Sequence, residues 1–99
     1  MYLSESAAIQ AISDIYDSAL AEINETPINA TAEAISAIAE IEGIKKLLRQ
    51  CGVAVGDQGA YLRSMAACTE AQDGLRAVYR AAASWQSASH AMAATGARQ

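Results

Sequence analysis

The stretch from Asp57 to Thr95 places the strongest constraint on the fold. Its 39 residues contain no proline and no obvious multi-residue turn. Leu75, Val78, Ala82, Trp85 and Met92 recur at steps of three, four, three and seven, which sets them on one face of an α-helix. A continuous helix of that length spans about 58 Å at roughly 1.5 Å per residue. No earlier segment is as long. Either the N-terminal part packs along only some of this helix, or the helix breaks. Gly74 is the one candidate break, because glycine in a helix interior costs about 1 kcal/mol relative to alanine.

Two shorter helices are expected upstream. Ser4 is a suitable N-cap, with Glu5 at the positive end of the helix dipole and no capping box, since position 7 is Ala. Ile9, Ile12, Tyr16, Ala19 and Ile23 mark one face, widened by Ile15 and Leu20. Thr26-Pro27 ends this helix and can start the next, with Asn29 as the alternative cap. So short a connection makes the two helices antiparallel neighbours.

The second helix runs to Gln50 or Cys51. Ile35, Ile38, Ile41 and Ile44 step by three, followed by Leu47, Leu48 and Cys51. That step lags the helical period, so the stripe winds and the helix should touch neighbours on two sides. Glu42 and Lys46 form a favourable i,i+4 pair. Gly52 reads as a C-cap, Val53–Gly56 is too short and isolated for a sheet, and Asp57 caps the third helix. In that helix Asp73 is a local partner for Arg76, and Ala77, Ala81, Ser84 and Ala88 form a small-residue face open to close helix approach. Residues from Gly96 onward are expected to fray. The chain carries no tandem repeat and no heptad run of coiled-coil quality. The expectation is therefore an all-α three-helix bundle within one domain over 1–99: a helical hairpin against a long third helix, which becomes two if Gly74 breaks it.

Composition limits the core. Alanine accounts for 24 of the 99 residues, all nine isoleucines lie between Ile9 and Ile44, and phenylalanine is absent. A core this small is marginal for a lone domain, so self-association or a partner is expected. An overhanging third helix would leave Tyr79, Trp85 and Met92 without cover, which points to a homodimer or larger assembly.

Charge separates the two halves. Residues 1–44 carry eight carboxylates and no Lys or Arg, whereas residues 45–99 carry seven basic groups and three acids. Direct nucleic-acid binding is disfavoured, because phosphate neutralisation needs clustered Lys and Arg. A helix-turn-helix around Gly52 fails for the same reason, since the helix after it opens with Asp57-Gln58-Gly59 and offers only Arg63 nearby. No signal peptide is recognisable, and the charge-free stretch 81–97 is too polar to cross a bilayer, so a cytoplasmic protein without membrane association is expected.

Catalytic signals are weak. His90 is the only histidine, and Cys51 and Cys68 lack any ligand spacing, so no metal or cofactor is expected. Both cysteines read as small buried hydrophobes, too far apart along a hairpin for a disulfide. Ser84 or Ser87 could approach His90, yet no carboxylate stands nearby to orient the imidazole. Gly52, Gly56 and Gly59 do not make a phosphate loop. The pairs Asp14/Asp17 and Glu40/Glu42 read as solvated carboxylates or a contact surface rather than acid–base machinery.

The sequence thus points to a non-enzymatic protein-binding module. The face carrying Asp14, Asp17, Glu22 and Glu25 would dock on a basic, nucleic-acid-binding site of a larger protein or complex. Small acidic inhibitors of phages and other mobile elements, anti-CRISPR proteins among them, have this size and charge, an analogy of class that rests on no sequence resemblance. The alternative is a helical structural protein of a phage or secretion apparatus that self-assembles through its small-residue faces.

Overall fold

A computed structural model describes residues 4–51 and 58–97, with side chains over 4–50 and 58–88. Apart from Ser4 and Thr26, every described residue is helical. Helix α1 spans Glu5–Glu25, a 3₁₀ turn spans Pro27–Asn29, α2 spans Ala30–Cys51 and α3 spans Gln58–Ala97. The expected all-α three-helix bundle is what forms. Asp57 and the segment around Val53 lie outside the described residues, as does the side chain of Met92.

The helix boundaries follow from local chemistry. Ser4 adopts extended backbone and its hydroxyl accepts from the Ala7 amide at 3.1 Å, satisfying one of the orphan donors of the first turn. At the other end Thr26 leaves helical geometry ahead of Pro27, and its amide closes on the Glu22 carbonyl at 2.8 Å. Thr26 makes no side-chain cap on the turn that follows.

Three contacts fix the direction of α3. Arg63 pairs with Glu5, Gly74 lies under Tyr16, and the Gln86 side-chain amide donates to the Ile28 carbonyl at 3.3 Å. Each pair is separated by 58 residues, so α1 and α3 run parallel in constant register. Helix α2 runs antiparallel to both and packs against each, with Gln72 donating to the Ile38 carbonyl and to Glu42.

Helix α3 does not break at Gly74. A Cβ on Gly74 would sit 3.1 Å from the Tyr16 hydroxyl and 3.2 Å from its Cε2. Glycine here lets the Tyr16 ring lie close against α3, and that packing offsets the propensity penalty that suggested a break. The uninterrupted helix gives the molecule its length. It measures 67 × 19 × 16 Å, with a radius of gyration of 17.5 Å against about 13 Å for a compact chain of 100 residues.

Among the described residues, alanine supplies half of the buried apolar positions of the core. The buried positions in α1 and α2 are Ala8, Ile12 and Ala19, then Ala30, Ala34, Ala37, Ile41, Ile44 and Leu48. In α2 these alternate steps of four and three, the spacing of a coiled-coil seam. The seam was not evident in the sequence because its first three positions are alanines, while Ile35 and Leu47, which prolong the isoleucine stripe, face solvent. Ile9, expected inside, is also exposed. In α3, Ala60, Ser64, Cys68, Gln72 and Leu75 form the buried line.

Candidate functional site

Helix α1 separates two grooves. The groove between α1 and α2 holds about 250 Å³. Its floor is Ile15, Ala19 and Ala37. Its walls carry Asp14 and Glu22 from α1 and Glu33 and Glu40 from α2, with Ser18 and Ser36 between them. Small floor residues keep the helices close, so four carboxylates converge on one channel. Gln10 donates to Asp14 at 2.8 Å and steadies that wall.

The groove between α1 and α3 is larger, about 350 Å³, and lined by fewer carboxylates. Ile9, Ile12, Tyr16, Ala67 and Ala71 line it, with Ser13, Asp17 and Glu70 as its polar members. The sequence treats Asp14, Asp17, Glu22 and Glu25 as one acidic face. The structure divides them: Asp14 and Glu22 stand in the first groove, Asp17 in the second, and Glu25 is exposed in the last turn of α1 and lines neither. Glu33 and Glu40, which complete the first channel, come from another helix. Only the antiparallel hairpin reveals that they belong with Asp14 and Glu22.

Exposure along α3 rises toward its C-terminal end. Leu75 is fully buried, Val78 and Ala82 are half-buried, Tyr79 is exposed and Trp85 is 60% exposed. The hairpin explains this gradient. Its turn reaches α3 at Gln86, so residues 87–97 extend past both other helices. The small-residue face of Ala77, Ala81, Ser84 and Ala88 is exposed throughout.

A buried polar line joins α2 to α3. Gln72 is fully buried and gives both amide protons away, at 3.1 Å to the Ile38 carbonyl and 3.0 Å to Glu42, while its own Oε1 has no partner among the described residues. The Gln72 hydrogen bond holds the Glu42 carboxyl below its ordinary range, partly opposed by burial and helped by Lys45 and Arg49. These two lie 4.0 Å and 3.8 Å from it. No ion pair within 4.0 Å forms between Glu42 and Lys46, though the Lys46 charge also helps to lower the carboxyl. Asp73 and Arg76 do pair, at 2.8 Å. Bidentate hydrogen bonding from Arg63 likewise lowers Glu5. Cys68 is buried and free, and burial pushes its thiol up, which suits a packing residue and not a nucleophile.

Among the described residues, no group of three or more His, Cys, Asp or Glu side chains is arranged to hold a metal ion. No described helix is long and apolar enough to cross a membrane. The chain matches no protein-family model, and no curated protein or solved structure is significantly similar to it.

Proposed function

We propose that this protein is a non-enzymatic binding module that docks a basic segment of a larger protein in the channel between α1 and α2. The observation behind the proposal is the convergence of Asp14, Glu22, Glu33 and Glu40 over an apolar floor. Carboxylates with alanine between them offer a cationic helix both charge and close approach, and charge complementarity of this kind governs association rate and partner choice. A basic surface that evolved for nucleic acid presents the matching chemistry, so the module would act as an inhibitor or adaptor that occludes it. Phage-encoded inhibitors of the anti-CRISPR type work at this size and charge.

The test is a titration of isotope-labelled protein with a Lys/Arg-rich helical peptide, followed by NMR. Shifts should concentrate at Asp14, Ser18, Ser36 and Glu40, weaken with salt, and vanish in the Asp14→Lys/Glu40→Lys variant. An Asp17→Lys/Glu25→Lys variant should keep most of the response. Shifts spread evenly over all carboxylates would sink the proposal.

A second reading draws on the 60% exposure of Trp85. A self-assembling structural protein would cover Tyr79, Trp85 and the extension that carries Met92 with further copies. Large assemblies that dissolve on Trp85→Ser would favour it.

A further inference from the structure

The outer face of α2 faces neither α1 nor α3, yet it is apolar. Ile28 at the turn, then Ala32, Ile35, Ala39, Gly43 and Leu47 follow one another at steps of four, three, four, four and four. All are exposed: Ile28 by 74%, Ile35 by 54% and Leu47 by 48%. Lys46 is the charged residue nearest the centre of this stripe, while Glu33 and Glu40 stand on one flank, at the acidic channel. A surface helix ordinarily turns its polar side outward.

Gly43 sharpens the anomaly. Among the non-proline residues glycine is the poorest helix former, and it stands here in the middle of a 22-residue helix. Among the described residues, nothing beyond its own helix lies within 4 Å of where its Cβ would be. Its smallness therefore serves no contact with any described side chain.

We propose that this face is the interface of an isologous dimer, with the α2 helices of two copies packed antiparallel about a dyad at Ala39. Ile35 lies four residues before Ala39 and Gly43 four residues after it. Antiparallel pairing about Ala39 brings each copy's Ile35 level with the second copy's Gly43, a large side chain opposite a vacant position, twice. The two Lys46 side chains then stand about 21 Å apart along the helix axis at roughly 1.5 Å per residue, so they do not repel. A face that is self-complementary under a two-fold axis suits a second copy. A basic partner would instead be drawn to the carboxylates beside α1.

From Ile28 to Leu47 the face is about 29 Å long, and a helix is about 10 Å wide. Two such faces pressed together remove roughly 600 Å² from water, below the ~1,000 Å² of a stable specific interface and in the range of a transient pair. The dimer is accordingly weak and concentration-dependent. With its dyad perpendicular to both helices, Glu33 and Glu40 of the two copies fall on the same side, so the two acidic channels open together.

Sedimentation equilibrium of the full chain over a wide dilution series tests this directly. The wild type should fit a monomer–dimer equilibrium. Gly43→Gln should weaken dimerisation by roughly tenfold or more, while its thermal midpoint in dilute solution should not fall, because the new side chain meets open space. Ala39→Cys in a Cys51→Ser background should form a disulfide-linked dimer on mild oxidation, as only a dyad at that residue brings the two thiols together. A monomer at every concentration overturns the proposal. So does an absent cross-link, an assembly larger than a dimer, or a dimer indifferent to Gly43→Gln but lost on Trp85→Ser, which would place the contact on α3. None of these outcomes depends on whether a basic partner binds the acidic channel.

Discussion

Gly43 and Gly74 sit in comparable places, each in the interior of a long helix, and carry the same intrinsic penalty of about 1 kcal/mol. Their surroundings are opposite. Gly74 lies beneath the Tyr16 ring, where a methyl group would stand 3.1 Å from the hydroxyl, whereas nothing within 4 Å would meet one at Gly43. A glycine inside a helix is therefore ambiguous by itself. At Gly74 the backbone is kept thin for a neighbour in the same chain. At Gly43 no described residue supplies such a neighbour.

The largest expected effect is at Gly74. Gly74→Leu should drive the Tyr16 ring off α3 and destabilise the fold by about 1–3 kcal/mol, as overpacking does. A urea unfolding curve measures this, and an unchanged midpoint would mean that the ring moves freely. Next in size is Gly43→Ala. In dilute solution, where the chain is monomeric, it should stabilise the fold by about 1 kcal/mol, read from the same curves. A double-mutant cycle joins the two sites. Gly74→Ala should gain less than Gly43→Ala in the wild-type background and about as much, again about 1 kcal/mol, once Tyr16→Ala has removed the ring. Equal gains in both backgrounds would show that Tyr16 does not set the requirement for glycine.

A smaller effect is expected on the other side of α3. Gln72→Met keeps the volume, removes the partnerless Oε1 and gives up two hydrogen bonds, so its net change should stay within about 1 kcal/mol of zero. Its pH dependence is more telling. Glu42 and Glu5 both titrate below the ordinary carboxyl value of 4.5 in the folded protein. Their stabilisation is thus complete above that value and is lost as pH falls through the lowered folded values. Gln72→Met should flatten the Glu42 part of that decline, and Arg63→Gln the Glu5 part. Thermal midpoints measured from pH 6 down to pH 3 would follow both, and wild-type and variant profiles that run parallel would refute the assignment.

The helices, the Ser4 cap and the hairpin turn were legible because each depends on near neighbours: Ser4 with Ala7, Thr26 with Pro27, and apolar residues a turn apart. The overhang of α3 was legible too, since a helix of 40 residues cannot be covered by two of about half its length. Small residues hid the rest. Ala30, Ala34 and Ala37 form a packed seam that a search for large apolar side chains passes over.

Propensity, periodicity and net charge are sums over neighbouring residues, and they suffice for an all-α chain with a long third helix and an acidic N-terminal half. Packing between helices settles that Gly74 is bridged and not broken, that Ile35 and Leu47 face outward, and that Asp14 and Glu22 share a channel with Glu33 and Glu40 while Asp17 does not. Each of these depends on how one helix is rotated against another. A turn of about 100° per residue sends neighbouring side chains to different partners, and that rotation is set by which small residues permit closest approach.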